Sequence, residues 1–206
     1  MRDTQSLENG HGPLTAGPRG IGFTLIEILI VISIIAVVAS LVLVAVNKGR
    51  QQASIAMATT DVATLNNALE QYVTDEASYP GMELPKIRED ENYFPKLFDA
   101  LFGDRKPNGP GGRSAPYTKL TEDKVRVYDT DLDDYVKPTR EQLKSAKIQK
   151  YLADPWGNPY FYRPNKGRKS ESYMHNKQGA DLFSFGPNGV DDTTTESEKS
   201  DDIGNW

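Results

Sequence analysis

The sequence predicts an α+β fold, in which one long N-terminal α-helix leads into a polar domain that contains β-strands. The first half of this helix is predicted to be transmembrane, because residues 23–46 form an apolar run of 24 residues whose only charge is Glu27. At about 1.5 Å per residue, a helix of that length spans roughly 36 Å and can cross the hydrocarbon core of a bilayer. The mean hydropathy of the whole chain is nevertheless only −0.57, so the remaining residues must be strongly polar.

The composition excludes several classes of function. A chain of 206 residues can hold one ordinary domain with a substantial core. Its net charge of −5, without clustered lysine or arginine, argues against a nucleic-acid partner. The absence of cysteine excludes disulfides, thiolate metal sites and cysteine nucleophiles. The domain must therefore be held together by packing or by an oxygen-ligated metal.

The segment before the apolar run, residues 1–22, is predicted to be a leader peptide that is removed. It is polar and contains five glycines and two prolines, a composition that neither packs nor forms regular structure. A secretory signal would instead have roughly 7–15 apolar residues before a small-residue cleavage site, and the run at 23–46 is too long for that. We therefore expect the run to stay in the mature protein, where Lys48 and Arg50 orient it only weakly.

The second half of the long helix is predicted from a 3-and-4 spacing of apolar residues. The stripe consists of Ile55, Ala58, Val62, Leu65, Leu69 and Tyr72. No proline occurs from residue 23 to 79, and the Tyr-Pro-Gly sequence at 79–81 is a stop signal. We predict one helix over 23–79, roughly 80 Å long, with a bend at Gly49, and a globular domain over 80–206. A membrane anchor joined to an ordinary helical domain would show the same periodicity.

The middle of the chain, residues 80–150, contains a helix, a loop and a strand by pattern. In "NYFPKLFDALFG" the four residues Phe94, Leu97, Phe98 and Leu101 recur at helical spacing. "DRKPNGPGGRSAP" has the composition of a loop. "KVRVY" alternates as a strand does, with its two valines on one face.

The acidic segment "DTDLDD" at 129–134 has two interpretations. Asp129, Asp131 and Asp133 follow the opening of an EF-hand calcium loop. The sixth position of that loop needs glycine and is Asp134, and the twelfth needs glutamate and is Arg140. The departures favour a solvated acidic loop over a metal site.

The segment "YLADPWGNPYFY" at 151–162 predicts a turn followed by a strand. Asp-Pro and Gly-Asn-Pro are turn sequences on either side of Trp156, and "YFY" has strand composition. Trp156 is interpreted as a core anchor with a bonded indole N–H, in preference to a ligand-binding aromatic.

The C-terminal segment concentrates acidic residues. Between residues 191 and 202, six acids face a single base, Lys199. The acids are Asp191, Asp192, Glu196, Glu198, Asp201 and Asp202. Either the segment is a solvated tail, or its oxygens form a site for a hard cation. Ile203 and Trp206 favour the second hypothesis, because a solvated tail has no reason to end on residues of the buried type.

The start of the apolar run resembles a known signal. "GFTLIE" followed by an unbroken apolar helix is similar to the class III signal of type IV prepilins and pseudopilins. The resemblance implies that a prepilin peptidase cuts between Gly22 and Phe23 and methylates the new N-terminus at Phe23. Glu27 then becomes the fifth residue of the mature protein. An unpaired carboxylate in hydrocarbon costs several kcal/mol, and the partner that the family implies is the α-amino group of Phe23, on a neighbouring subunit or its own.

A structural alternative for Glu27 is that it lies at headgroup level near a helix start, where the helix dipole favours an acid. The flanking signal residues favour the assembly role, in which the charge pair sets the axial register of the subunits.

The domain itself resembles a more specific family. "DPWGNPY" and "DLFSFGPNG…DDIGNW" are similar to segments of the major pseudopilin of the type II secretion system, the general secretion pathway protein G family. The resemblance covers 23–79 and 151–206 and is weak for 80–150. It implies a pilin-like fold, with the long helix packed on a small antiparallel sheet.

The same family implies an inner-membrane, single-pass precursor with a periplasmic domain, which polymerises into a pseudopilus that drives protein export. Its implied partners are further copies of itself, minor pseudopilins, the inner-membrane assembly platform and the prepilin peptidase.

The resemblance also implies calcium as a cofactor in the C-terminal loop. The candidate ligands are Asn188, Asp191, Asp192, Asp201 and Asp202. Asn188 stands where the family has aspartate, which predicts a weaker site, whereas Asp202 matches a family acid. Asp191 and Asp192 fall where the family usually has glycine-rich sequence. Bound calcium would neutralise the acids and close the loop.

Two alternatives to the major pseudopilin stay open at this point. One is a type IV pilin or a minor pseudopilin, which shares the N-terminal signal. The other is a membrane-anchored calcium- or cargo-binding module that does not polymerise. An enzyme is not expected, because the mature chain would keep only His175 and no catalytic signature surrounds it.

Overall fold

The computed structural model describes residues 24–84, 88, 91–102, 116–119, 121–167, 174–192 and 200–206. The chain divides into two compact units, residues 1–47 and 48–206. Helix α1, Leu25–Glu76, begins in the first unit and ends in the second. The predicted leader, the predicted cleavage site at Gly22 and Phe23, and the predicted loop at 104–116, apart from Pro116, lie outside the described residues.

Helix α1 confirms the prediction of one long helix. It has 52 residues and continues through Gly49, where a bend was predicted. It ends three residues before the predicted limit, because Ala77 has a φ of 55° and turns the chain out of the helix. In the part before residue 47, its large apolar side chains are exposed. By length and composition, α1 can cross a membrane once.

The second half of α1 packs one face against the domain core. Four of the six stripe residues are buried, namely Ala58, Val62, Leu65 and Leu69, and Ala68 joins them. Tyr72 is half-buried against the core. Ile55 is exposed, contrary to its place in the stripe, because it lies one turn before the first residue that the domain covers.

The strands are all antiparallel and form two sheets. In the first sheet, β1 (Val125–Asp129) lies between β2 (Asp134–Val136) and β3 (Tyr151–Leu152). In the second, β5 (Ala180–Ser184) lies between β4 (Phe161–Pro164) and β6 (Ile203–Gly204). The α+β class with antiparallel strands is therefore confirmed, with two three-stranded sheets in place of one. Among the described residues, an isolated bridge from Ala153 to Pro159 connects β3 and β4, with hydrogen bonds from the Asp154 N–H to the Asn158 carbonyl and from the Tyr160 N–H to the Leu152 carbonyl.

The core lies between α1, helix α2 (Phe94–Phe102) and both sheets. The predicted apolar face of α2 is confirmed, because all four of its predicted residues are buried. Val125 and Val127 are likewise buried on one face of β1, as the alternation predicted. Burial of each large apolar side chain contributes about 1.5–3 kcal/mol, which makes this core the main source of stability.

A polar contact ties α1 to the strands within the second unit. The Asp61 carboxylate accepts hydrogen bonds from Lys124 Nζ at 2.5 Å and from the Tyr160 hydroxyl at 2.9 Å. Burial and the neighbouring Asp61 charge raise the pKa of Tyr160, so this hydroxyl stays a donor. The helix is therefore held to the domain by a charge-assisted contact as well as by its apolar face.

Helix α3, Arg140–Lys144, was not predicted. The Thr139 hydroxyl accepts from the Gln142 N–H, and the Gln142 side chain accepts from the Thr139 N–H. This reciprocal pair is a capping box. The sequence "TREQ" at 139–142 carries its signature, which is the signal that could have found the helix.

Candidate functional site

The first candidate site is the start of helix α1. The Thr24 N–H and the Thr24 hydroxyl each donate to Glu27 Oε2 at 2.8 Å, and the Glu27 N–H donates to Thr24 Oγ1 at 3.2 Å. This is again a capping box, with Thr24 as the N-cap. It fixes the Glu27 carboxylate beside the helix N-terminus, where the helix dipole favours a negative charge.

The capping box is compatible with both explanations of Glu27, as an acid at headgroup level near a helix start and as a charge that pairs between subunits. Both bonds from Thr24 go to Oε2, so among the described residues Oε1 has no partner of its own. Glu27 is the only charge along the exposed apolar stretch of α1. The carboxylate is therefore held in place through Oε2, and Oε1 can accept a hydrogen bond from a further donor. The α-amino group of Phe23, its predicted partner, lies outside the described residues.

The second candidate site is the acidic C-terminal loop, which brings the predicted metal ligands together from both of its ends. The Asn188 N–H donates to Asp201 Oδ2 at 3.1 Å, and the Asn188 side-chain amide donates to Asp192 Oδ2 at 2.8 Å. The Asp192 N–H donates to Asp202 Oδ2 at 3.0 Å. Asp191 adds its charge beside Asp202. Glu196 and Glu198 lie outside the described residues.

The acids of the loop lie close enough together to affect one another's charge, as the pKa of Asp202 shows. Burial, with Asp191, Asp192 and Asp201 nearby, raises the pKa of Asp202 to about 6, although the Asp192 N–H opposes the shift. Oδ1 of Asp201 and Oδ1 of Asp202 are buried and have no hydrogen-bond partner in the described part of the chain. Two buried carboxylate oxygens without donors are acceptors that a hard cation would satisfy.

The described residues do not by themselves complete a metal site. Among them, no three acidic or histidine side chains converge as metal ligands do. Asn188 Oδ1, the oxygen predicted to coordinate, accepts the Val190 N–H at 2.7 Å. The calcium hypothesis therefore remains a prediction, supported by the two buried oxygens.

The glycine at 186 lets the two ends of the loop approach each other. Its φ is +66°, and a Cβ there would lie 2.2 Å from the carbonyl oxygen of Asp201. No other residue fits this position without moving the backbone that carries Asp201 and Asp202. Gly186 is a positioning residue for the acidic loop that the sequence analysis missed, although "GPNG" marks a turn there.

The turn at 154–157 is connected by hydrogen bonds to the start of the same loop. Asp154 Oδ1 accepts the backbone N–H groups of Trp156 and Asn158, and Asp154 Oδ2 accepts the Ser184 hydroxyl at 2.6 Å. The hydroxyl of Ser184 in turn accepts the Gly186 N–H at 3.0 Å. The pKa of Asp154 is raised by burial, against these hydrogen bonds. Asp154 and Ser184 thus link the "DPWGNP" turn to the start of the acidic loop.

The prediction that Trp156 is a core anchor is wrong. Its side chain is half-buried and lies outside the core. The reason is that Asp154 closes a tight turn, with Gly157 at a φ of 101°, and Trp156 lies at the tip of that turn.

The far end of the loop returns to the sheet. Strand β6 pairs with β5, with Ile203 opposite Ser184 and Gly204 opposite Phe183. The Trp206 ring stacks on His175 with centroids 3.9 Å apart and meets Phe183 edge to face. For residues 200–206, the alternative of a solvated tail therefore does not hold, and the backbone after the acids is fixed.

Comparison with known proteins identifies the family. No family model matches the chain. The chain is 30% identical over 200 residues to the Type II secretion system core protein G of Pectobacterium carotovorum subsp. carotovorum, which covers 97% of this chain and 91% of the relative. The chain belongs to the type II secretion system core protein G family. The corresponding protein of Pseudomonas aeruginosa is 30% identical over 185 residues, which cover 90% of this chain and 94% of that one.

The core protein G relatives confirm the resemblance drawn from the two ends of the chain. That of Aeromonas hydrophila is 29% identical over 189 residues, covering 91% of this chain and 93% of the relative. The matched lengths extend across 80–150, where the resemblance had been weak. Among solved structures, the chain is similar to the major pseudopilin of the type 2 secretion system of enterohaemorrhagic Escherichia coli, at 21% identity. That match covers 77% of this chain and 91% of the other, with a TM-score of 0.36.

Membership of the core protein G family makes the chain a pseudopilin of the type II secretion system, a structural component of the export machinery. This decides against the type IV pilin alternative. The long apolar helix is consistent with a single-pass membrane anchor.

Proposed function

We propose that the chain is made as an inner-membrane precursor, loses residues 1–22, and polymerises through its apolar helix into a periplasmic pseudopilus that drives protein export. The observation that carries the proposal is the apolar half of α1, whose side chains are exposed along the whole stretch and whose one charge is Glu27. An apolar surface of this extent must be shielded from water by a cover of other apolar groups. Lipid supplies that cover before assembly, and the helices of neighbouring subunits supply it in the fibre.

Glu27 gives this packing a register. A carboxylate between packed apolar helices costs several kcal/mol unless it meets an opposite charge. The methylated N-terminus of Phe23 on a neighbouring subunit is the cation that the family implies. Thr24 holds the carboxylate through Oε2 and leaves Oε1 for that donor. A subunit out of register would leave both charges buried and unpaired, so only one axial offset is stable.

The proteins that would process the precursor and assemble the polymer are those that the family implies. A prepilin peptidase would process the precursor at Gly22 and Phe23. Minor pseudopilins and an inner-membrane assembly platform would start and extend the fibre. These partners are proposed from the named relatives, which are core components of the type II secretion system.

Processing provides the first test of the proposed function. When the full chain is produced together with a prepilin peptidase, mass spectrometry is expected to find a mature chain that starts at a methylated Phe23. Gly22→Val is expected to leave the precursor uncut and to remove all fibres sheared from cells, because a branched side chain stands at the cut bond. Gly20→Val, two residues earlier in the leader, is the matched control and should be processed normally. Failure to cut the unchanged chain would contradict the proposal.

We also propose that calcium occupies the acidic C-terminal loop. Asp201 and Asp202 would contribute their buried Oδ1 atoms, with Asp191, Asp192 and the amide oxygen of Asn188 as further ligands. Oxygen donors of this kind suit Ca²⁺. The ion would supply positive charge to the acids and close the loop onto β6, in a chain that has no cysteine for a cross-link.

A thermal melt of the full chain in detergent tests the calcium proposal, at a pH well above the Asp202 pKa of about 6. Calcium at 100 times its dissociation constant is expected to stabilise the fold by about 2.7 kcal/mol relative to excess chelator. Asp202→Asn should remove most of this shift, because it deletes the charge of a proposed ligand. Asp99→Asn, at an exposed position of α2, is the control and should keep it. Equal midpoints in calcium and in chelator would overturn the proposal.

A further inference from the structure

The hairpin of β1 and β2 ends in a tip that carries an exposed leucine among acids. The tip, residues 129–134, contains four aspartates and no base. Leu132 at its centre is 67% exposed, the largest value among the large apolar side chains described in residues 48–206. Asp129 Oδ1 accepts the backbone N–H groups of Asp131 and Leu132, and the Tyr128 hydroxyl donates to Asp133. These bonds fix the shape of the tip and hold Leu132 out in solvent.

The opposite end of the same hairpin carries a pocket of about 170 Å³. It lies at α3 and is called here the α3 pocket. It is lined by Glu122, Asp123, Lys137, Pro138, Thr139, Arg140 and Leu143. Pro138 and Leu143 are its apolar lining residues, Lys137 and Arg140 make one wall basic, and Glu122 and Asp123 are its two acids. A cavity of about 150 Å³ can hold a benzene ring, so the pocket is large enough for a leucine side chain.

The two features complement each other in shape, and in charge where the tip faces the basic wall, since Glu122 and Asp123 line another part of the pocket. The tip offers one apolar side chain and four carboxylates. Residues 137–147, which include the basic wall, offer four bases against one acid, Glu141. The tip and the pocket cannot meet within one molecule, because β1 separates them by four residues or roughly 13 Å. They can meet only between two copies.

We propose that Leu132 of one subunit inserts into the α3 pocket of a second copy, with the tip aspartates against Lys137 and Arg140. The contact joins two different surfaces of the same chain, so it repeats head to tail and builds an open filament and not a closed dimer. It rests on the proposed polymerisation and adds to it a contact between the globular domains. The tip is already rigid in the single subunit, so little conformational entropy is lost when it binds.

Disulfide cross-linking in fibres of the full chain tests the contact, since the natural sequence has no cysteine. Leu132→Cys and Glu122→Cys in one chain are expected to give a ladder of cross-linked multimers under oxidation. The two positions lie too far apart for a bond within one subunit, because a disulfide needs Cα atoms within about 7 Å. Each single variant should stay monomeric, and a mixture of the two should stop at dimers. Asp99→Cys with Glu122→Cys is the control pair and should not cross-link.

Charge variants are tested separately, through fibre yield in the cysteine-free chain, because the two introduced cysteines would themselves alter the tip and the pocket. Arg140→Glu is expected to lower the yield by about ten-fold or more, because it turns attraction for the tip into repulsion. An acid also suits the first turn of α3, so folding should be retained. Asp131→Lys combined with Arg140→Glu should restore the yield. Glu122→Lys should raise the fibre yield, and an increase in yield cannot result from loss of folding.

The outcomes separate this contact from the polymerisation on which it rests. Normal fibres without the ladder, and with unchanged yield for Arg140→Glu, would overturn the contact and leave the proposed function standing. Dimers from Leu132→Cys alone would show a tip-to-tip contact, and cross-links to another protein would show a different partner, and either would overturn it. Absence of fibres from the unchanged chain would overturn both proposals.

Discussion

Glu27→Ala is expected to remove assembled fibres while leaving the globular domain folded. In the fibre the substitution leaves the N-terminus of the neighbouring subunit as a buried charge without a partner, a loss of about 3–5 kcal/mol per contact. Such a loss corresponds to a decrease in fibre yield of roughly a hundred-fold or more. Among the described residues, Glu27 makes its side-chain contacts with Thr24 alone, so residues 48–206 should keep their melting temperature. Sheared fibre yield and a thermal melt measure the two effects.

Ser33→Ala is the matched control for this prediction. Ser33 lies in the same apolar half of α1, and its hydroxyl donates to the carbonyl of Leu29 within the helix. Loss of this hydroxyl should leave the fibre yield nearly unchanged, because Ser33→Ala removes a polar group from the apolar half of α1 but removes no charge. Normal fibre yield from Glu27→Ala would contradict the assembly role. It would leave Glu27 as a helix-capping acid and favour an anchored module that does not polymerise.

Local pattern predicted the elements that depend on local sequence. The spacing in α1, the apolar face of α2, the alternation in β1 and the "YFY" strand all reappear where they were predicted. Each pattern reports which residues face the core, and the core confirms them except for Ile55 at the start of the α1 stripe. The division into two sheets was not predictable, because it depends on how β3 and β4 separate at Pro159.

The candidate site was predictable in composition but not in geometry. The acids after residue 190 indicated a cation site, and β6 confirms that their far end returns to the domain. The positioning residues Asp154, Ser184 and Gly186 escaped notice because their contacts join residues up to 30 positions apart. Trp156 was misplaced for a related reason, since composition identifies an aromatic residue but not the direction in which a turn points it.

The buried pair of Arg163 and Asp181 also lies beyond pattern analysis. The two residues oppose each other in register on β4 and β5, and Arg163 Nη2 donates to Asp181 Oδ2 at 2.8 Å. Both side chains are at most 1% exposed. In sequence each looks like an ordinary surface charge in a strand, and only the pairing of the strands brings them together in the core.

Asp181→Ala is expected to cost about 3–5 kcal/mol of stability, because it leaves the Arg163 charge buried. The loss also affects the chain after β4, since Asp181 Oδ1 accepts the Asn176 N–H at 2.7 Å. Glu83→Ala is the matched control. Glu83 pairs with Lys96 at 3.8 Å, with side chains 65% and 48% exposed, and its loss should cost less than about 1 kcal/mol. Chemical denaturation of the full chain in detergent measures both free energies of unfolding.

The same substitution should weaken the calcium response. Asn176 donates from its side chain to Asn205 Oδ1 at 3.0 Å, and Asn205 follows directly on β6 and the acidic loop. When Asn176 loses its contact with Asp181, the residues after Asp202 are held less firmly, and calcium must order them as it binds. A calcium shift that is unchanged in Asp181→Ala would show that the loop closes independently of the buried pair. Equal costs for Asp181→Ala and Glu83→Ala would show that the buried pair contributes no more than a surface contact.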